Sequence, residues 1–214
     1  MEETKLVQLL RNGEKAAFDA LYEKYKNTLL RMAYLVSGQM DDAEDIVQET
    51  FVKCYLHIGE LKKDEGFRPW LFQILYRTAY RQVKKSRREM PGEDVAIQAD
   101  AADGTTSLDR IIRTEEEDMV KRAVQALDFK HRTVVVMFYY NEMTTKEIAK
   151  VLGCTEGTVK SRLFAARGKL RKYLDAAQTG EAAAGANGKK VFGKEVSGKK
   201  GGGEVERTRE LYFL

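Results

Sequence analysis

Between Lys15 and Ile58 apolar side chains return every three or four residues, and that period limits the chain's possible folds more than any other feature. Phe18, Leu21, Tyr22, Tyr25, Leu29, Met32, Ala33 and Val36 form one stripe with i, i+3, i+4, i+7 spacing, the pattern of an amphipathic helix. Gly38 breaks it. Asp41, followed three residues later by Glu44, reads as a capping box that opens a second helix. The inner stripe of that helix would be Ala43, Ile46, Val47, Thr50, Phe51, Cys54 and Ile58. A polar loop, Gly59 to Gly66, follows. A third helix then opens near Pro69, which suits a first helical turn because it has no N–H to satisfy. Trp70, Leu71, Ile74, Leu75 and Val83 supply its buried side. With only two prolines in 214 residues and 33% charged residues, the chain reads as all-α rather than as a turn-rich β sandwich.

The same residues exclude several classes of function. Cys54 and Cys154 cannot build a disulfide framework, and the two histidines, His57 and His131, offer no clustered zinc site. No metal or cofactor is expected. The longest apolar run, Val134 to Tyr140, falls far short of the ~18 residues that suggest a membrane span. The N-terminal Met-Glu-Glu-Thr-Lys lacks the basic and apolar regions of a signal peptide. A soluble, cytoplasmic protein with no membrane insertion is the expectation.

The formal net charge of +4 conceals strong local imbalance. Residues 67–88 carry cations and no acid, and residues 119–174 are also strongly basic. Between them, residues 89–118 are strongly acidic, and residues 1–66 are mildly so. Two basic blocks divided by an acidic stretch suggest two polyanion contacts on two bodies, with an electronegative connector between them. The plain alternative for any one block is a solvated helix face. Residues 89–115 contain Pro91, two glycines and no sustained period, so they read as a flexible linker. Helical pattern resumes near Glu116 and runs to Leu174. Within it Val134–Tyr140 has strand propensity, but a lone strand would have no partner, so helix is expected. Beyond Leu174 the composition turns to Ala, Gly and Lys, a low-complexity extension.

Residues 144–163 have helix-turn-helix spacing. Thr144 and Glu147 form a capping box, Ala149 is small where two helices must cross, and Gly153 supplies a left-handed turn residue. Thr155 can cap the next helix, while Val159 and Leu163 pack it inward. Lys160, Ser161, Phe164 and Arg167 then face outward, able to enter a major groove. Lys and Arg can meet phosphate or guanine, Ser can hydrogen-bond, and Phe can contact a thymine methyl. The alternative is an αα-hairpin that binds nothing.

In the first module Arg77, Arg81, Lys84, Lys85 and Arg88 fall on one helical stripe, with Tyr76 and Tyr80 beside it and no acid in that segment. Such a face fits a phosphate backbone, with rings available to stack on exposed bases. Trp70 falls on the apolar stripe and reads as core. Asp45, Gln48 and Glu49 lie at i, i+3, i+4 on the second helix, opposite its apolar side. From spacing alone they are an ordinary solvent face. One carboxylate cluster without a nucleophile, metal ligands or a phosphate loop proposes no reaction, so the chain is not expected to be an enzyme.

Three stretches, taken in order, resemble the sigma-70 family of bacterial RNA polymerase sigma factors, in its compact extracytoplasmic-function (ECF) group. They are Asp42–Phe51 (Asp-Ala-Glu-Asp-Ile-Val-Gln-Glu-Thr-Phe), Phe67–Ile74 (Phe-Arg-Pro-Trp-Leu-Phe-Gln-Ile) and Gly157–Leu163 (Gly-Thr-Val-Lys-Ser-Arg-Leu). The resemblance covers about residues 10–174. It implies a three- to four-helix bundle over 1–90, a linker over 91–115 running toward the RNA exit path, a helix-turn-helix domain over 116–174, and a tail over 175–214 outside the family pattern. It also implies that Asp45, Gln48 and Glu49 dock on the clamp of the polymerase β′ subunit. The loop 59–66 and the helix after it would hold open the promoter −10 element, with Tyr76, Arg77, Arg81, Lys84, Lys85 and Arg88 on that face. Thr155, Lys160, Ser161, Phe164 and Arg167 would read the −35 element, and an anti-sigma factor would be a partner. Two places depart from the family pattern: Leu75-Tyr76-Arg77 stands where Ala-Arg-Asn is frequent, and Ala165 where a basic residue is common. Two other classes fit parts of the sequence. One is a stand-alone helix-turn-helix regulator, which would need a pocket-forming sensor; the other is a recombinase or nuclease, which would need a nucleophile or metal carboxylates.

Overall fold

A computed structural model describes residues 2–89 and 115–178, and these form eight α-helices with no strand among them. The acidic linker through residue 114 and the low-complexity tail beyond Gln178 lie outside the described residues. The first helices are α1 (Glu3–Arg11), α2 (Lys15–Ser37), α3 (Met40–His57) and α4 (Phe67–Glu89). α2 stops where Gly38 adopts a left-handed φ of 89°, which a side chain would disfavour, and the Gly38 N–H closes the last turn on the Tyr34 carbonyl at 2.8 Å. The capping box expected from Asp41 and Glu44 is absent. α3 begins at Met40 with no side-chain cap, so Asp41 and Asp42 already lie in its first turn, where they complement the helix dipole. The Ser37 hydroxyl ties this corner by donating to the Gln39 carbonyl at 3.0 Å. α4 starts at Phe67, which puts Pro69 within the first turn. The loop before it winds into two short 3-10 turns, Ile58–Glu60 and Asp64–Gly66.

Most of the expected stripe residues are the core, but Tyr22 is exposed and Phe18 half-buried. Leu21, Leu29, Met32, Ile46, Phe51, Leu71 and Leu75 are buried between α2, α3 and α4, joined by Phe67 and Phe72. Each such side chain removed from water contributes about 1.5–3 kcal/mol. Trp70 is half-buried with its ring 6.1 Å from that of Phe67, in keeping with the core reading. Burial pushes the Cys54 thiol up to about 12, so it behaves as a small apolar group rather than a reactive one. α1 had no counterpart in the periodic pattern. It covers the bundle with Leu6, Val7 and Leu10, and the Tyr25 hydroxyl donates to Glu3 at 2.6 Å.

The second set of helices is α5 (Glu115–Gln125), α6 (Phe129–Val135), α7 (Thr145–Leu152) and α8 (Glu156–Gln178). The β-prone run Val134–Tyr140 is helical, as expected. It finishes α6 and then widens into a π turn over Val136–Tyr140, where the Asn141 N–H reaches back five residues to the Val136 carbonyl at 3.1 Å. Val134 to Met137 are wholly buried, so tertiary burial overrides the local strand propensity.

Asp128 caps α6. It accepts from the His131 N–H at 3.2 Å, and its carboxylate also meets the His131 ring and Lys169, each at 2.6 Å. Partial burial alone would raise its pKa, but these hydrogen bonds outweigh that and hold the carboxyl well below its ordinary 3.8. The stabilisation is therefore present above that value and is lost as pH falls below it. Asp128→Ala should lower stability by about 1–2 kcal/mol at neutral pH, as loss of a cap does. In urea melts the gap between variant and parent should close as the pH falls below the ordinary carboxylate range.

The described residues through Leu174 fall within one compact unit. Within that unit, a single cluster of buried side chains runs from Leu6 to Ala166. The two helical sets thus share one core, with α4 against α7 and α2 against α5 and α6.

Candidate nucleic-acid interface

The helix-turn-helix geometry follows its caps. The Thr144 hydroxyl accepts from the Glu147 N–H at 3.2 Å, while the Glu147 carboxylate accepts from the Thr144 N–H at 2.8 Å. Burial would raise the Glu147 pKa, but the Thr144 hydrogen bonds outweigh it and lower it. Gly153 ends α7 with a left-handed φ of 63°, and the Cys154 N–H returns to the Ala149 carbonyl at 3.1 Å. Thr155 then caps α8 by accepting from the Thr158 N–H at 3.2 Å. With Val159 and Leu163 buried, α8 turns Lys160, Ser161 and Phe164 outward. Phe164 is 79% exposed, a large apolar ring held in water. Lys160 pairs with Glu156 one turn back at 2.9 Å, an exposed pair that a phosphate could replace.

Arg167 does not project with these residues. Its Nε donates to the Tyr139 hydroxyl at 2.8 Å, and its guanidinium lies over the Phe138 and Tyr139 rings at 6.0 and 5.8 Å. It fastens α8 to the π turn, a partner that the period of α8 alone could not show.

On α4, Arg77, Arg81, Lys84 and Lys85 are exposed along one side, and only the backbone of Arg88 is described. The stripe has no acid of its own, but it is not free of acids: Arg81 pairs with Glu49 of α3, and Glu49 also meets Lys53 at 2.8 Å. Burial would raise the Glu49 pKa, yet the Arg81 and Lys53 hydrogen bonds prevail and hold it below the usual carboxylate range. Tyr76 and Tyr80 stack with centroids 6.4 Å apart. Asp45 and Gln48 are exposed on α3 and Glu49 is half-buried, so this acidic face adjoins the basic stripe.

Sequence reasoning missed an open groove between α2 and α3. Phe18, Tyr22, Phe51, Val52, Tyr55 and Leu56 line it, and Gln48 stands at its edge. Leu56 is 68% exposed. The available signal was Val52, Tyr55 and Leu56 at i, i+3, i+4 on α3, an apolar row beside the core stripe. Among the described residues no three His, Cys, Asp or Glu could hold a metal ion, and no helix is long and apolar enough to cross a membrane.

Comparison with known proteins gives a consistent result. Residues 21–89 match the family described as sigma-70 region 2, and residues 117–170 match sigma-70 region 4. The RNA polymerase sigma-H factor of Pseudomonas aeruginosa is 31% identical over 181 residues, covering 81% of this chain and 94% of its own length. The ECF RNA polymerase sigma factor SigW of Bacillus subtilis is 29% identical, covering 79% of this chain and 95% of its own. Among solved structures, CnrH in complex with the cytosolic domain of CnrY is 25% identical with a TM-score of 0.62, over 81% of this chain and 97% of that one. The sigma factor RpoE of Bartonella quintana, solved with the anti-sigma factor NepR, is 27% identical with a TM-score of 0.58, over 74% and 96%. The chain belongs to the ECF group of the sigma-70 family of RNA polymerase sigma factors, promoter-directing proteins of transcription initiation and not enzymes.

Proposed function

We propose that the chain binds core RNA polymerase through α3 and reads promoter DNA through α4 and α8. The observation that carries the reading is the outer face of α8, where a doubly capped helix-turn-helix holds Lys160, Ser161 and Phe164 in water. Thr155 stands beside them at the helix start, where backbone N–H groups suit a phosphate. This face would read the −35 element, with Arg167 fixing the helix that presents it. Tyr76, Arg77, Arg81, Lys84, Lys85 and Arg88, with the loop 59–66, would hold the −10 element, body 1–90 acting with body 116–174 across linker 91–115. Asp45, Gln48 and Glu49 would meet the β′ clamp, and the groove beside Gln48 extends that face with apolar surface. An anti-sigma factor is the further partner proposed, supported by two structural relatives that were solved in complexes, one of them with a named anti-sigma factor. The cytoplasm is the compartment such work requires.

Run-off transcription with core polymerase on a promoter library, with and without this chain, tests the whole reading. Stimulation on no template would sink it. On a responsive promoter Phe164→Ala should reduce preference for the correct −35 sequence by ~10-fold, within the range of one base contact. Lys160→Ala should instead weaken all sequences alike and flatten the salt dependence by about one phosphate contact. Competition binding at two salt concentrations separates the two effects.

A further inference from the structure

The first helix does more than close the core. Leu6, Val7 and Leu10 turn one side of α1 into the bundle, while Gln8 and Arg11 reach from another side to the loop 59–66. The Arg11 guanidinium donates to the Leu61 carbonyl and pairs with the Asp64 carboxylate at 3.4 Å. The Gln8 amide donates to the same carboxylate at 3.1 Å. Glu3, at the opposite end of α1, pairs with Lys24 and accepts from the Tyr25 hydroxyl at 2.6 Å. α1 is thus fastened to α2 at its start and to the loop at its end. The Tyr25 ring in turn lies 5.8 Å from that of Phe67, where the loop ends and α4 begins.

The position of these contacts within the loop gives them their effect. Each of the two 3-10 turns is closed by its own hydrogen bond, from the Leu61 N–H to the Ile58 carbonyl at 3.2 Å and from the Gly66 N–H to the Lys63 carbonyl at 2.9 Å. Between the turns the backbone is extended at Leu61 and Lys63, with no helical bond to set its course. Arg11 grips both sides of that break, Leu61 before it and Asp64 after it. Leu61 is buried and Asp64 half-buried, whereas Lys62 and Lys63 between them are exposed. The loop therefore presents two cations at a tip whose flanks are stapled to α1. A single exposed ion pair is weak. These three contacts converge on one tip, and a backbone fixed in advance removes an ordering cost that binding would otherwise carry.

We propose that α1 is a brace for the loop 59–66, with Gln8 and Arg11 as positioning residues that preset the Lys62–Lys63 tip for the phosphates of the −10 strand. The inference rests on the reading of this loop as part of the −10 surface. Gln8 and Arg11 act through Leu61 and Asp64 and need no DNA contact of their own.

Strand capture by the assembled holoenzyme tests the brace. The probe is a fluorescent single-stranded DNA carrying the −10 element of a promoter that the wild-type chain uses. Arg11→Ala should weaken its binding by ~10-fold, because the tip must then be ordered at the moment of capture. Arg11→Lys should recover part of the loss, since one ammonium meets Leu61 or Asp64 but not both. Core polymerase affinity and melting temperature should stay those of the parent. Parallel loss of melting temperature, core affinity and strand capture, as expected of Leu10→Ala, would mean a merely structural role and would overturn the proposal. Replacing Lys62 and Lys63 together by alanine should weaken capture in the wild-type chain and cost less in the Arg11→Ala chain, where the tip is already released. Additive losses would place Arg11 outside the tip's action and refute the brace, as would a loss from the lysine pair with none from Arg11→Ala. If the lysine pair has no effect, or the wild-type holoenzyme captures no strand, the −10 reading of the loop itself fails and the brace with it.

Discussion

Arg132→Ala should be the most damaging single substitution in the second helical set, costing about 3–4 kcal/mol of stability through the carbonyls it strands. The guanidinium is buried, and its rigid fork serves three carbonyls at once. Nε donates to Leu127 at 3.1 Å, Nη1 to Val36 at 2.9 Å, and Nη2 to Leu127 at 2.8 Å and to Gln125. Gln125 ends α5 and Val36 lies in the last turn of α2, where carbonyls have no partner within their own helix and the dipole is negative. One cation thus neutralises the ends of two helices. Alanine removes the donors and leaves the Leu127, Val36 and Gln125 carbonyls without them. Lysine cannot replace the fork, because a single ammonium reaches one of these carbonyls well and the others poorly. Arg132→Ala should lower the melting temperature by ~10 °C at about 2–4 °C per kcal/mol for a chain of this size, with Arg132→Lys between it and the parent. Melting followed by circular dichroism decides the point, and a shift within two degrees of the parent would contradict it.

Arg132 also shows where reading the sequence stops. Periodicity describes one helix at a time, and within each helix it served well. The stripes of α2, α3 and α4, the Thr144–Glu147 capping box and the Gly153 turn all depend on residues within a few positions of one another. The family resemblance likewise rests on short runs. What stayed hidden depends on which helices meet. Arg132 and Val36 are 96 positions apart, and Arg81 and Glu49 are 32 apart. No local charge count could show that the basic stripe of α4 borrows an acid from α3, or that Tyr139 holds Arg167. The capping box proposed for α3 failed for a different reason. Asp41 and Glu44 have the right spacing, but the helix starts at Met40, two residues too early for Asp41 to stand outside it. α1 was overlooked because its three buried residues are too few for a convincing stripe.

The pairing of Glu49 also changes what the proposed polymerase face should do when it is dismantled. Replacing Asp45, Gln48 and Glu49 together by alanine should weaken core polymerase binding by ~100-fold or more, the loss expected when a compact group of contact residues is truncated. All three sit outside the core stripe, so circular dichroism should remain like that of the parent. The single variants should not contribute equally. Asp45 and Gln48 are exposed and present their polar atoms to a partner, and the Asp45 charge should act on the association rate and fade as salt rises. Glu49 already spends its carboxylate on Arg81 and Lys53. Its removal should therefore cost less core binding than either neighbour, and it should release Arg81 as an unpaired cation on the proposed DNA side of α4. Glu49→Ala would then bind core more weakly but DNA more tightly, a split that neither Asp45→Ala nor Gln48→Ala should show. Fluorescence anisotropy with labelled core, beside a −10 strand-binding assay on the assembled holoenzyme, measures both quantities. Core affinity of the triple variant within three-fold of the parent would rule out this face as the docking site. Equal behaviour of the three single variants would instead mean that the Glu49–Arg81 pair carries nothing between the proposed polymerase side of α3 and the proposed DNA side of α4.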